Sequence, residues 1–142
     1  MIQAVNPYRN KLDIRLTDAL IKAGSSIDER FKGEPRLAGV VRRELADSLY
    51  LAGELEPAET HARQALTTLE GAFGASDADA LEARVTLGRV TMAKDDYKAA
   101  RVLYQDGLAA IGSGGPERTR LALAVGLAGI DRVVELGRTS LA

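Results

Sequence analysis

Only a handful of side chains in this sequence are of the types that catalysis or metal binding requires. His61 is the single histidine, and the sequence contains no cysteine. One histidine without a second histidine or a thiolate provides neither a zinc ligand set nor a nucleophilic triad. Because His61 lies between Thr60 and Arg63 in a helical segment, we expect it to be a solvated surface residue.

The acidic residues occur where helices are expected to begin. Glu54, Glu56 and Glu59 cluster at one such start, where carboxylates interact favourably with the helix macrodipole. The loop 112–115 (GSGG) precedes another helix, but it lacks the lysine and the preceding strand of a phosphate-binding loop. No set of polar residues converges on one place, so we predict a protein without catalytic activity, metal or cofactor.

Length and charge restrict the function further. The 142 residues fit one domain, and 19 basic against 20 acidic residues give a net charge of −1. This balance provides no electrostatic surface for nucleic acid. The longest apolar run, 121–130, is about half of the roughly 20 residues that a membrane span needs. We therefore expect neither nucleic-acid binding nor direct membrane insertion. Localisation stays open between the cytoplasm and a soluble extracytoplasmic part of a membrane-anchored protein.

The helices that position these residues repeat along the chain with a period of 42 residues. A fixed period with apolar and small residues in register is typical of stacked helical repeats. Equivalent residues are Ile27, Leu69 and Ile111; Phe31 and Phe73; Leu45 and Leu87; Gly53, Asp95 and Gly137; and Ala58 and Ala100.

Apolar residues at steps of three and four predict six helices and no strand. The first stripe runs from Leu16 to Phe31, with Asp13 as its N-cap. Pro35 fits the first turn of the next helix. Residues 1–12 lack periodicity and are predicted to be an extended lead-in. The predicted helical domain, 13–142, divides into a half repeat at 13–33, repeats at 35–74 and 77–112, and an incomplete repeat at 116–137.

The two full units resemble tetratricopeptide repeats (TPR) in their turn and packing residues. The first carries Leu45-Ala46 and Gly53-Glu54-Leu55, and the second carries Leu87-Gly88 and Asp95-Asp96-Tyr97. The usual TPR period is about 34 residues, and the longer period here is similar to that of kinesin light chains. The resemblance implies an all-α, right-handed α-solenoid of antiparallel helix hairpins.

The sequence departs from the TPR pattern in three respects. Arg42 and Arg84 stand where the signature Trp is expected, Leu49 and Thr91 where Tyr is expected, and Gly129-Ile130 where Leu-Gly is expected. The opening helix and repeat also resemble TPR regions attached to bacterial Ser/Thr kinases and winged-helix regulators. Because the last repeat is incomplete, we expect this chain to be part of a larger bacterial signalling or regulatory protein.

In TPR arrays the first helix of each unit lines a concave groove, which the resemblance implies here for a peptide or a partner helix. Arg43 and Arg89 could hold a carboxylate in a bidentate manner. Arg43 and Asp47, four residues apart, equally fit a surface ion pair. The implied groove residues are Arg43, Asp47, Tyr50, Glu82, Arg89, Met92 and Asp131.

The last predicted helix is apolar on all sides between residues 121 and 130. Such a helix needs burial on every side. We therefore expect its outer side to be covered by a second copy of the chain, by a partner or by a further helix of the repeat. The residues expected to self-associate are Leu123, Leu127, Ile130 and Val134. We therefore predict a non-catalytic protein-interaction module. The alternative is a dimerisation or sensor domain that brings attached effector domains together.

Overall fold

The computed structural model describes the backbone of residues 7–140 and the side chains of residues 15–138. Within residues 7–140 helices are the only regular secondary structure, which confirms the predicted all-α class. The helices are α1 (Pro7–Ser25), α2 (Ile27–Arg30), α3 (Pro35–Leu51), α4 (Leu55–Phe73), α5 (Ala78–Ala93), α6 (Tyr97–Ile111) and α7 (Glu117–Ser140).

The start of the chain differs from the prediction. Residues 7–12, which were expected to be extended, belong to α1, and residues 1–6 lie outside the described part. Pro7 suits the first helical position because its missing N–H would be unpaired there. The Ser25 and Ser26 hydroxyls donate to the carbonyls of Lys22 (2.7 Å) and Ala23 (3.1 Å). These bonds compete with helix continuation, so the predicted first helix is split into α1 and α2.

The turns between the helices follow the sequence signals closely. Pro35 opens α3, and the Asp77 carboxylate caps α5 by accepting from two backbone amides at 3.1 and 3.2 Å. Gly53 and Asp95, which are 42 residues apart, both adopt a positive φ, +81° and +61°. The repeated turn therefore keeps its left-handed residue even where glycine is replaced. α7 continues to Ser140, three residues beyond the predicted end at about Gly137.

Helices that follow one another in the chain pack together, from α3 on α4 to α6 on α7. Contacts also join α3 to α5 and α5 to α7, while α1 and α2 rest on α3. Small side chains allow this close approach, and aliphatic side chains fill the space between layers. The fully buried core includes Ala46, Leu49, Ala58, Ala62, Ala65, Leu69, Leu81, Leu87, Tyr104, Leu123 and Ile130.

α7 keeps the 42-residue period of the earlier units. Its fully buried side chains, Leu123 and Ile130, lie 42 residues after Leu81 and Gly88, which are buried in α5. α5 packs against α3, α4, α6 and α7, whereas α7 packs mainly on α5 and α6 among the described helices. Val133, which is equivalent to the buried Thr91, is therefore 40% exposed.

Candidate interaction groove

α5 and α7 enclose an open groove whose floor comes from α6. Its volume is about 380 Å³, within the usual range of roughly 300–1,000 Å³ for ligand sites. Of the predicted groove residues, Arg89 and Met92 line it directly. The full lining is Val85, Arg89, Met92, Tyr104, Ala122, Val125, Gly126 and Gly129.

The floor of the groove is the Tyr104 ring, which lies between two glycines. A Cβ at either Gly88 or Gly126 would come within 2.5 Å of this ring. The Tyr104 hydroxyl donates to the Met92 sulfur at 3.7 Å, and burial raises the pKa of the phenol. The two glycines therefore provide the space for one large aromatic side chain, which in turn fixes the depth of the groove.

Gly129 forms an open part of the same wall. A Cβ there would meet only the Met92 Cε, at 3.8 Å, which is an ordinary contact. The sequence patterns did not assign Gly126 or Gly129 to the groove. Both glycines reach this wall because α7 packs beside α5 and α6.

The polar rim of the groove is centred on Asp47. Its carboxylate accepts from Arg89 at 2.6 Å and from the Thr86 hydroxyl at 3.4 Å, and it pairs with Arg43 at 3.5 Å. Arg43 also pairs with Glu44 at 2.5 Å. The surface ion pair expected for Arg43 and Asp47 is therefore present, and the Arg89 guanidinium lies 5.8 Å from the centre of the Tyr50 ring.

Glu82 and Asp131 have separate positions. Glu82 accepts a hydrogen bond from the Thr119 hydroxyl at 2.7 Å, which ties α5 to α7. Asp131 pairs with Arg101 at 2.6 Å and lines a different cleft, between α6 and α7. The predicted place of Asp131 in the groove with Arg89 is therefore not found, because its carboxylate pairs with α6.

The predicted self-association residues belong to the core of the chain. Leu123 and Ile130 are completely buried, and Leu127 and Val134 pack against the same cluster as Tyr104. Leu123 and Ile130 therefore have no exposed surface for self-association, whereas Leu127 and Val134 are only partly buried. The large apolar side chains that α7 exposes are Leu121, Val125, Val133 and Leu136.

A buried arginine that pairs with an acidic residue occurs twice, at places where one helical unit packs on the next. We call each of these two sites a joint. The sequence patterns did not predict them. Arg42 is buried and donates to the Asp28 carboxylate and, at 2.6 Å, to the Gln64 side-chain oxygen. Arg84 is equally buried and donates to Glu70 at 2.9 Å. Each acid precedes its arginine by 14 residues. The sequence does contain a signal for this arrangement: an acidic residue precedes an arginine by the same number of positions in two successive units.

His61 lies at the first of these joints and is half-buried, so its expected solvation is wrong. Its ring packs against Gly24 of α1, and its Nδ1 is 3.3 Å from the Arg42 Nη1. Burial, followed by the charge of Arg42, lowers the pKa of His61. The contact comes from a residue far away in the chain, which local patterning does not predict.

The acidic cluster at the start of α4 forms ion pairs with Lys94, the residue that directly follows α5. Lys94 pairs with Glu56 at 2.8 Å and with Glu59. The Lys94 hydrogen bond lowers the pKa of the Glu59 carboxyl. Among the described residues, no group of three or more His, Cys, Asp or Glu side chains is placed to hold a metal ion.

No helix in the described part of the chain combines the length and apolar character that crossing a membrane requires. Comparisons of the chain with profiles of known protein families, with curated proteins and with solved structures find no match. The resemblance to TPR proteins therefore stays a prediction that rests on the residues quoted above.

Proposed function

We propose that this chain is a non-catalytic protein-interaction module of the tetratricopeptide type, within a larger signalling or regulatory protein. A peptide or partner helix lies along the side-by-side helices α3, α5 and α7, and places apolar side chains in the groove between α5 and α7. The chain is in this proposal a right-handed solenoid whose concave side carries the groove.

The observation that carries the proposal is the groove itself. It has apolar walls from Val85, Met92 and Val125, and glycine positions where a partner can approach the backbone. The charged groups of the rim are paired with one another. An apolar groove suits the apolar anchor side chains of a peptide, and the paired charges of its rim would select the orientation of that peptide.

Gly129→Leu tests the groove directly, because a Cβ at this position meets only the Met92 Cε, at 3.8 Å, and the larger side chain would occupy the groove. Peptides selected from a displayed random 16-residue library on the wild-type chain would be titrated by fluorescence anisotropy. We expect Gly129→Leu to weaken the selected peptides by about tenfold or more. Arg89→Glu should weaken those that carry acidic residues near the anchor.

Gly71→Leu is the matched control, because Gly71 lies in α4 with open space around it. It should leave the affinities unchanged. Peptides that bind equally well to Gly129→Leu and to the wild type would contradict the groove, as would failure of the library to yield any binder.

A second candidate function, self-association, is favoured by the exposed side of α7. Leu121 and Val125 are each more than three-fifths exposed, and the exposed Ala124 and Ala128 lie between or beside them. A contiguous apolar stripe of this kind is typical of an interface. Two copies joined through it would bring attached effector domains together.

The molar mass in solution, measured by light scattering after size exclusion over a range of concentrations, tests self-association. Leu121→Glu should convert a dimer into monomers, whereas Val102→Glu, at an exposed valine of α6, should not. A wild-type chain that stays monomeric at high concentration would exclude this interface and leave the groove as the functional surface.

A further inference from the structure

The joint between α1 and the α3–α4 hairpin contains a histidine whose protonation state is set by its neighbours. Arg42 can only donate hydrogen bonds, so the Nδ1 of His61, 3.3 Å from the Arg42 Nη1, must accept. The proton of the neutral ring is then on Nε2. On its other side the ring meets Gly24 of α1, where a Cβ would lie 2.6 Å from both Cε1 and Nε2.

The charges around the ring come from two other helices. Arg42 on α3 opposes the imidazolium, and Asp28 on α2 favours it. Gly24, the contact from α1, carries no charge. On α4 itself, Arg63 is paired with Glu59 at 2.8 Å. The net effect of burial and Arg42 exceeds that of Asp28 and lowers the pKa of His61 below its ordinary value of 6.5.

The described part of α1 packs mainly on α2 and α3. Leu20 packs against the core cluster that contains Ile27 and Leu45, whereas Leu16 and Ile21 are exposed. A cleft between α1 and α3 is lined by Leu16, Leu20 and Leu51. At the C-terminal end of α1, Gly24 is buried against the His61 ring, which joins α1 to α4.

We propose that this joint is an acid-sensitive contact: protonation of the His61 Nδ1 removes its hydrogen bond from Arg42, places two cations side by side and releases α1 from the hairpin. Release of α1 uncovers Leu45, which Gly24 also contacts. His61 is the single histidine of the chain, so no other histidine competes in this pH range.

The direction of the effect follows from linkage. The folded state with α1 attached binds a proton at His61 less readily than the detached state does. The stabilisation of the attached state is therefore complete above the ordinary pKa of 6.5. It decreases as the pH falls from there through the lowered pKa of the attached state.

The second unit provides an internal comparison. Leu103 stands 42 residues after His61, as Arg84 does after Arg42, and packs against the core. That joint has an arginine and an acid but no imidazole. Acidification through the titration range of histidine should therefore affect the α1 joint and leave the joint at Arg84 unchanged.

Hydrogen exchange of the full chain, followed by mass spectrometry from pH 7.5 to pH 5, tests the proposal. Dividing each rate by that of an unstructured peptide at the same pH gives a protection factor. For peptides within residues 7–25 we expect protection to fall by about threefold or more, while peptides within residues 78–93 keep theirs. His61→Leu, which copies the second joint, should remove the fall.

Two results would overturn the proposal: constant protection of α1 in the wild type, or the same fall in His61→Leu. If His61→Leu fails to fold, as judged by circular dichroism, Arg42→Gln is the second variant. Glutamine keeps a donor for Nδ1 but removes the charge, so the loss of protection should become smaller. An unchanged loss in Arg42→Gln would equally refute the mechanism.

Discussion

The joints around Arg42 and Arg84 are built from equivalent residues, but they differ in what surrounds each arginine. Arg42 has three neighbours with polar atoms, namely Asp28, Gln64 and His61. Arg84 has Glu70 as its one hydrogen-bond partner within the described residues, and its Nε is unpaired. Arg42 therefore keeps other polar partners if one of them is removed, whereas Arg84 depends on a single carboxylate.

The largest effect should come from the aromatic residue that distinguishes the second unit. Tyr104→Ala would leave a cavity between Gly88 and Gly126, and we expect a loss of about 3–5 kcal/mol in the free energy of unfolding. The first unit has Ala62 at this position, which is fully buried in the same cluster as Ala46. Urea unfolding measures the loss. A loss below about 1 kcal/mol would mean that α7 moves in to fill the space.

Removal of the acidic residue should destabilise the two joints by different amounts. Glu70→Ala leaves the buried Arg84 without its carboxylate, and we expect a loss of about 3 kcal/mol in the free energy of unfolding. Asp28→Ala should cost only about 1 kcal/mol, because Arg42 keeps Gln64 and the Asp28 side chain is 85% exposed. The two variants would be compared by urea unfolding at pH 7.5. Equal losses would contradict the difference between the joints.

Two glycines of α7 should respond in opposite directions to alanine. Gly126→Ala forces a methyl group against Tyr104 and should cost about 1–3 kcal/mol. Gly129→Ala meets open space, and the better helix propensity of alanine should stabilise the chain by up to about 1 kcal/mol. Thermal unfolding followed by circular dichroism measures both. Destabilisation by Gly129→Ala would show that α7 lies closer to Met92 than the structure places it.

The smallest effect should come from the exposed ion pair between Arg89 of α5 and Asp47 of α3. Arg89 is about half exposed where it pairs with Asp47, so Arg89→Ala should change the free energy of unfolding by less than about 0.5 kcal/mol. Urea unfolding in low and high salt would measure this baseline. A larger change would indicate that the rim stabilises the fold as well as shaping the groove.

The parts of the fold that local patterns determine were predictable. The apolar steps, Pro35, Gly53 and Asp77 gave the helices and turns of the two full units, because caps and turns depend on neighbouring residues. The start of α1 was missed, because Pro7 was interpreted as part of an extended segment when it opens a helix. The break at Ser26 depends on two hydroxyl groups, which apolar spacing does not reveal.

The site was less predictable, because it depends on contacts between distant segments. Arg89 and Met92 both line the groove between α5 and α7. Asp131 pairs with Arg101, and Leu123 and Ile130 are buried, because α7 packs on α6 with a side that local patterns could not identify. The environment of His61 is set by Gly24, so its burial could be recognised only once α1 was positioned.

The spacing of the arginine joints has a consequence for how the chain can change in length. In each joint the acid belongs to one unit and the arginine to the next. A tandem duplication of the 42 codons for residues 35–76 would place a copy of Arg42 fourteen residues after Glu70, the separation that both joints already have. Insertion of a whole unit by recombination would therefore supply each new buried arginine with a carboxylate, whereas insertion of any other length would not.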